Sequence, residues 1–214
     1  MAGKMFPKEL TGVGFRILLS SVFFAITLSG CGKGDDGEPP ASRSDQSYSQ
    51  WLADHQIQAT DPQVVELAKQ ITGGETNAME KANSIHDWVT ANIQYDQALY
   101  NEVQSESSAT QIDASYDDCE ATHVLQTHKA ICDGYASLTA SLLVASGVPA
   151  KMVTGTLSDQ GVACDHEWNK ALVDGQWIII DTTFDAGGWG RQFFNPTPEF
   201  FAQTHQECNE SSGR

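Results

Sequence analysis

The sequence predicts an α+β domain in which several helices are followed by an antiparallel sheet. Apolar residues recur at spacings of three and four in the first part of the folded region, which is typical of amphipathic helices. Beyond Gly147 and Pro149 the period changes to two, as in strands. Between two of these strand-like segments, Asp174-Gly175 is a strong signal for a tight hairpin. Helices that precede a strand meander indicate an antiparallel sheet.

Four helices are expected before the sheet. Asp61 and Pro62 supply an N-cap acceptor and a proline at the first helical position. Asn77 opens a second helix, with a glutamate three residues later as in a capping box. A short third helix is predicted over residues 120–127. The fourth helix places Cys132 at or beside its N-terminus.

Three strands and one long loop complete the predicted elements. The loop covers residues 96–118, which are polar and aperiodic, and it would either line a substrate groove or be a disordered insertion. Four phenylalanines near the C-terminus are expected to pack back on the core. The predicted strands are Lys151 to Thr156, Val162 to Val173 and Gln176 to Thr182.

The first 30 residues are typical of an export signal. Basic residues precede an apolar run over 17–28, which is shorter than the roughly 20 residues that a membrane-spanning helix needs. The following Leu28-Ser29-Gly30-Cys31 resembles the lipobox of bacterial lipoprotein precursors, which implies that Cys31 is lipidated and becomes the mature N-terminus. The alternative is an ordinary signal peptide with an incidental cysteine. The lipobox resemblance implies attachment to a membrane of the bacterial cell envelope. Gly32, not aspartate, follows the cysteine, and by resemblance to enterobacterial sorting signals this slightly favours the outer membrane.

Residues 31–48 are predicted to be a flexible tether, and residues 49–214 a single domain. The tether is rich in glycine, proline, serine and acidic residues, which cannot offset the entropy of ordering a chain. The formal net charge of −16 excludes nucleic-acid binding through clustered basic residues. It also disfavours binding to anionic lipid headgroups, so attachment would depend on the acyl chains.

The remaining four cysteines contain no Cys-x-x-Cys pair, which argues against a zinc or thioredoxin-like site. An exported chain can form disulfides. With Cys132 kept free for chemistry, we expect at most one bridge among Cys119, Cys164 and Cys208, with the pair left open. A structural disulfide at Cys132 is the competing interpretation.

Cys132 is the candidate nucleophile. The thiolate is the reactive form of cysteine, and unpaired N–H groups at a helix N-terminus lower a thiol pKa and can hold a developing oxyanion. We therefore expect a lowered pKa at Cys132. A buried and inert cysteine is the alternative.

His166 and Asp181 are the candidate base and its orienting carboxylate. A two-residue turn at Asp174-Gly175 pairs Val173 with Gln176, which makes His166 and Asp181 diagonal neighbours on one face of the hairpin. Backbones on such a diagonal are roughly 7–8 Å apart, a distance that two polar side chains can bridge. A slip of one residue would place them on opposite faces. For Cys132 to reach His166, its helix is expected on the same side of the sheet.

These residues lie in two runs that resemble the signatures of the transglutaminase-like superfamily. The resemblance covers about residues 60–208 and implies a papain-like core in which Cys132 is the nucleophile, His166 the base and Asp181 the orienting group. It implies no metal and no organic cofactor. The first run is Cys132-Asp133-Gly134-Tyr135-Ala136 with Gly147-Val148-Pro149-Ala150, and the second is His166-Glu167-Trp168-Asn169 with Asp181-Thr182-Thr183-Phe184-Asp185.

Three positions qualify the resemblance. Ala130 stands where many members have glycine, and Glu167 where many have a small residue, although strand alternation turns Glu167 to the face away from His166. Gln126 lies six residues before Cys132, as the oxyanion donor does in papain-like proteases, but an intervening helix turn argues against that role.

The resemblance implies thiol-dependent acyl transfer on a protein or peptide substrate. If an amine accepts the acyl group, the enzyme is a transglutaminase, and if water accepts it, the enzyme is a peptidase or amidase. The superfamily also includes non-catalytic binding and scaffold members, which is the alternative function. The sequence leaves the oligomeric state open.

Overall fold

The computed structural model describes residue 52 and residues 57–105, 119–158 and 165–208. The predicted signal segment, Cys31 and the tether lie outside these residues, so what the sequence indicates about them stays a prediction. Within the described residues, no helix is long and apolar enough to cross a membrane. The order of elements is helices first and sheet second, which confirms the predicted α+β class.

The first two helices begin and end as the sequence predicts. Helix α1 spans Pro62–Thr72, and the Asp61 carboxylate accepts a hydrogen bond of 2.8 Å from the backbone N–H of Gln63. Helix α2 spans Ala78–Asn92, and the Asn77 side chain accepts from its first turn. Each cap satisfies backbone donors that the helix itself leaves unpaired.

Part of the predicted loop is helical. After strand β1 (Gln94–Tyr95), helix α3 covers Gln97–Ser105. Its N-terminus is capped by Asp96, whose Oδ1 accepts from the backbone N–H of Ala98 at 3.0 Å and of the next residue at 3.1 Å. The prediction of an irregular segment is therefore wrong for residues 97–105. Residues 106–118 lie outside the described residues.

The polypeptide then enters the central helix. Helix α4 (Ala121–Thr127) and strand β2 (Lys129–Ala130) precede helix α5 (Cys132–Ser146). Strand β2 pairs in parallel with β1, which places Tyr95 opposite Ala130. From its third residue to its thirteenth, α5 is buried continuously, and it ends at Gly147 with a positive φ of 100°. A helix buried on all sides is the core helix of a domain.

Four antiparallel strands form the sheet in the order β5-β4-β3-β6. Their bounds are β3 Ala150–Leu157, β4 His166–Val173, β5 Gln176–Ile180 and β6 His205–Glu207. The β4–β5 register pairs Val173 with Gln176, as predicted. Between β5 and β6 lie a short helix α6 (Thr182–Phe184), a π-helical turn (Asp185–Trp189) and helix α7 (Pro198–Phe201). Strand β6 was not predicted.

The sheet has an apolar cluster on each face. Helix α5 packs on one face, where the Asn169 amide on β4 donates to the carbonyl of Ala136 at 2.9 Å. The other face carries Trp168 and the predicted C-terminal aromatic residues, of which Phe193 and Phe201 are buried. Strand β4 is consequently buried on both faces over its first four residues, and only Lys170 and Leu172 among the rest are half-buried.

Candidate active site

His166 and Asp181 meet on the aromatic face of the sheet. His166 begins β4, and Asp181 follows β5 directly and caps α6. The Nε2 of His166 lies 2.7 Å from Oδ2 of Asp181, and the Asp181 side chain is completely buried. The contact that the hairpin register predicted is therefore present. Because Nε2 faces the carboxylate, Nδ1 is the ring nitrogen left to face a thiol.

Asp181 is held as a carboxylate by its neighbours. Burial opposes ionisation, but the charge and hydrogen bond of His166 and a hydrogen bond from His205 outweigh it and lower the pKa of Asp181. The second oxygen, Oδ1, accepts from the backbone N–H of Phe184 at 3.0 Å. An ionised Asp181 fixes the His166 proton on Nε2, the tautomer that a base acting through Nδ1 requires.

Cys132 is the first residue of α5 and carries a free thiol, which excludes the interpretation of a structural disulfide at this position. Its Sγ lies 3.9 Å from the carbonyl oxygen of Asp165, and the backbone N–H of Glu167 donates to the sulfur. The thiol thus touches the main chain on both sides of His166. The candidate nucleophile therefore lies next to the backbone that carries the candidate base, where helix α5 begins beside the first residues of β4.

The expected lowering of the thiol pKa is wrong for the resting protein. Burial raises the pKa of Cys132, and the carboxyl groups of Asp133 and Glu167 raise it further, whereas the Glu167 N–H lowers it. The loss of hydration and the two acidic neighbours raise the thiol pKa by more than the helix N-terminus lowers it. The thiol is therefore protonated until a base removes its proton.

The expected side of helix α5 is also wrong. The helix packs on the sheet face that carries Glu167 and Asn169, whereas His166 and Asp181 lie on the opposite face. Cys132 is nevertheless close to His166, because helix α5 begins beside the start of β4. There the sulfur contacts the backbone carbonyl of Asp165, the residue just before the strand.

Glu167 turns away from His166, as alternation predicts, but it is buried under α5 instead of facing solvent. Its Oε1 accepts a bond of 3.3 Å from the Thr154 hydroxyl. Burial, with the nearby Asp133 carboxylate, raises the pKa of Glu167 to about 8. At neutral pH this side chain is mostly protonated. Gln126, by contrast, is exposed on α4.

His205 is a further buried residue of the site, and sequence reasoning missed it. It lies on β6, and its Nε2 is 3.1 Å from the same Asp181 oxygen that His166 contacts. Its Nδ1 is 2.7 Å from the Thr204 hydroxyl. Burial lowers the pKa of His205. A strand of three residues has no measurable period, so the sequence carried no signal for it.

The ligand atoms of His166, Asp181 and His205 lie within 4.8 Å of one another, close enough to surround a metal ion. Their chemistry would suit a transition metal. However, the separations of 2.7 and 3.1 Å are those of direct hydrogen bonds, which already satisfy the carboxylate. The donor set is therefore better described as a hydrogen-bonded cluster.

A second buried histidine–aspartate pair lies next to the candidate site and is linked to it by hydrogen bonds. The Nε2 of His86 on α2 lies 2.8 Å from Asp185, whose carboxylate also accepts from the backbone N–H of Phe193 at 3.1 Å. The carbonyl of Phe193 in turn accepts from the backbone N–H of Asp181 at 3.0 Å. This chain of bonds ties the segment after β5 to α2 and fixes the backbone of Asp181.

Two of the remaining cysteines are oxidised. Cys119 and Cys208 are each disulfide-bonded. Cys164 and Cys31 lie outside the described residues, so the expectation of at most one bridge stays a prediction. Cys132 is the free thiol among the cysteines in the part of the chain that the structure describes.

A helix-borne cysteine and a buried His–Asp pair on an adjacent hairpin define the transglutaminase-like class of thiol proteins. Residues 65–182 match the model of the transglutaminase-like superfamily. The chain belongs to this superfamily, as its two motif runs predicted. Membership supports a thiol-dependent enzymatic role.

Individual relatives match more distantly. The human kyphoscoliosis peptidase is 27% identical over 117 residues, which cover 51% of this chain and 16% of that protein. The mouse kyphoscoliosis peptidase is 25% identical over 130 residues, covering 57% and 18%. This chain therefore spans less than a fifth of the length of the curated relatives it matches.

Solved structures with a related fold include a candidate cysteine protease from Cytophaga hutchinsonii, with 24% identity and a TM-score of 0.45 over 59% of this chain and 38% of that one. The periplasmic domain of TgpA from Pseudomonas aeruginosa has 18% identity and a TM-score of 0.39 over 62% and 45%. These likenesses concern the fold alone.

Proposed function

We propose that this protein catalyses thiol-dependent acyl transfer at carboxamide or peptide bonds of a protein or peptide substrate. Cys132 is the nucleophile, His166 the general base and acid, and Asp181 the orienting carboxylate. The observation that carries the proposal is the buried bond of 2.7 Å between His166 and Asp181, beside a free helix-terminal cysteine. Family membership supports the same chemistry.

The first half-reaction starts from a protonated thiol. Nδ1 of His166 accepts the proton of Cys132 as the sulfur attacks the substrate carbonyl carbon, forming a carbon–sulfur bond. Backbone N–H groups in the first turn of α5 are suited to hold the oxyanion. When the carbon–nitrogen bond breaks, the His166 imidazolium protonates the leaving amine, and a thioester remains on Cys132.

The second half-reaction returns the enzyme to its resting state. His166 removes a proton from the acceptor, which attacks the thioester carbonyl and expels the Cys132 sulfur. The expelled thiolate recovers its proton from the imidazolium. This cycle is complete without a metal or an organic cofactor. The similarity to proteins named as peptidases supports water as the acceptor, although a primary amine fits the same steps.

The proposal includes a location. The apolar run and Leu28-Ser29-Gly30-Cys31 support a lipid-anchored protein of the bacterial cell envelope, with an outer-membrane position slightly favoured by Gly32. The formal net charge of −16 supports substrates other than nucleic acids. A tethered domain would meet envelope proteins or peptides as substrates.

The test compares wild type with Cys132→Ala in two assays run in parallel. One measures incorporation of a labelled amine into a glutamine-containing peptide, and the other measures peptide cleavage by mass spectrometry. Activity that depends on Cys132 in either assay supports the proposal and identifies the acceptor. Trapping of an acyl-enzyme on Cys132 would establish the thioester.

A non-catalytic binding or scaffold role is the second candidate. One observation favours it, because the raised pKa of Cys132 makes the resting thiol a poor nucleophile. In that case alkylation of Cys132 by iodoacetamide would be slow at neutral pH and unchanged in His166→Ala. In the catalytic case, His166→Ala slows alkylation because the base is lost.

A further inference from the structure

The Asp181 carboxylate is shared by two imidazoles. Oδ2 lies 2.7 Å from Nε2 of His166 and 3.1 Å from Nε2 of His205, while Oδ1 accepts from the backbone N–H of Phe184. A carboxylate has no proton to donate, so both imidazoles must carry their proton on Nε2. His205 therefore donates a hydrogen bond to Asp181, the residue that orients His166 in the proposed site.

His205 is fixed in this position by its own surroundings. Its ring stacks on Phe201 with centroids 4.1 Å apart and an angle of 11° between the planes. Backbone pairing of β6 places it opposite Leu157 on β3, and its side chain is fully buried. The Thr204 hydroxyl lies 2.7 Å from Nδ1, where it can donate to a neutral ring that is protonated on Nε2. The ring has no freedom to turn away from Asp181.

We infer that His205 is a positioning residue of the proposed catalytic site, acting on His166 through Asp181. This inference rests on the proposed function. The Nε2–H of His205 holds Oδ2 at the point where it receives His166. A buried carboxylate that stays ionised but lacks this donor would be free to rotate, and the His166 ring would lose its fixed orientation.

The shared oxygen also sets the strength of the His166–Asp181 bond. Two donors on one oxygen share its negative charge, which makes Asp181 a weaker acceptor for each. Loss of the His205 donor would make an ionised Asp181 hold the His166 imidazolium more tightly. Among the described residues, the charged groups that shift the pKa of Asp181 are His166 and His205. Beside this cluster, the Cys132 thiol is influenced by the carboxyl groups of Asp133, Glu167 and Asp181.

The experiment compares His205→Phe, which keeps a buried ring but removes the donor, with His205→Gln, which places an amide N–H near the position of Nε2. Phe200→Leu is the control, because it perturbs the same aromatic cluster through Phe193, whereas the ring that stacks on His205 is Phe201. Each variant is measured for kcat, KM, the pH profile of kcat/KM and thermal unfolding.

We expect kcat of His205→Phe to fall by about ten- to a hundredfold, the scale of a small misplacement, with KM within about threefold. The ascending limb of the pH profile should move to higher pH. His205→Gln should recover most of kcat, and Phe200→Leu should lower Tm without moving the limb. Equal losses in His205→Phe and His205→Gln that follow Tm, with an unmoved limb, would overturn the inference.

A second measurement needs neither turnover nor a variant. In ¹⁵N-histidine NMR of the wild-type protein at neutral pH, His205 should be neutral with its proton on Nε2, and a proton on Nδ1 would overturn the inference. If no substrate is turned over while His205 has the expected tautomer and His205→Phe alters the ¹⁵N signal of His166 Nε2, the proposed reaction fails and the His205 inference stands.

Discussion

His166 begins strand β4, Asp181 directly follows strand β5, and the polar atoms of their imidazole and carboxylate groups lie 2.7 Å apart in a buried contact. The diagonal relationship follows from the pairing of Val173 with Gln176 at the turn. The orienting half of the proposed triad is therefore contained within 16 consecutive residues, whereas Cys132 arrives from a separate helix.

The first prediction is a ranking of triad variants. Cys132→Ala and His166→Ala should reduce turnover to background, and Asp181→Asn should reduce it by roughly two to four orders of magnitude because an amide cannot hold the required tautomer. Asn retains an oxygen that can accept from Phe184, so Asp181→Asn should keep the native circular dichroism spectrum. Nearly normal turnover in Asp181→Asn would remove Asp181 from the mechanism.

The second prediction concerns Glu167 and the pH dependence of stability. Its pKa is raised from 4.5 to about 8 in the folded state, so between these values the folded protein keeps a proton that the unfolded chain releases. Stability is therefore lost as pH rises across this window, by up to about 1.4 kcal/mol per pH unit from this group. Glu167→Gln should flatten that slope in urea unfolding measured from pH 5 to pH 9.

Glu66→Gln, at an exposed position on α1, is the matched control and should leave the slope unchanged. If Glu167→Gln shows the wild-type slope, Glu167 is ionised in the folded protein and its placement under α5 is incorrect.

The third prediction is that Gly155 cannot be enlarged. A Cβ at this position would overlap Cη2 of Trp168 and would lie 2.5 Å from the carbonyl oxygen of Gln206. Gly155→Ala should therefore destabilise the protein by roughly 1–3 kcal/mol, as overpacking does. Urea unfolding of Gly155→Ala, Trp168→Phe and the double variant measures the coupling, because phenylalanine lacks the ring atoms that the new methyl group meets. Purely additive effects would contradict the clash.

The fourth prediction tests the anchor. Cys31→Ser should abolish incorporation of labelled fatty acid and release the domain from the membrane fraction, because lipidation would be the main attachment of so acidic a chain. Cys132→Ser is the control and should be lipidated normally. Fatty-acid label at the wild-type level in Cys31→Ser would disprove the lipobox interpretation.

Local signals in the sequence predicted most of the helices and the hairpin. Asp61 and Asn77 cap α1 and α2 as their residue types indicate, since capping depends on neighbours a few residues away. Asp174 and Gly175 have φ values of 51° and 78°, the conformation of the predicted tight turn. Because that turn sets the register, the contact between His166 and Asp181 was also predictable.

Features that depend on distant parts of the chain were not predictable. Strand β4 is buried on both faces, so its pattern could not indicate which face α5 covers, and the helix was assigned to the wrong side. The raised pKa of Cys132 depends on burial and on the approach of Glu167. The sequence of the helix that carries the thiol indicates neither of these. His205 joins the site through a strand of three residues, which is too short for a periodic signal.

The two-residue turn at Asp174-Gly175 makes this part of the chain intolerant of changes in length. A single residue added or deleted there would either require a different turn type or slip the β4–β5 register, and a slip of one residue would place Asp181 on the face opposite His166. Related proteins that keep the dyad should therefore conserve the spacing of 15 positions between these residues or compensate a change in it with a different turn. Insertions and deletions in the family should instead accumulate outside residues 166–181, where they do not change the spacing between His166 and Asp181.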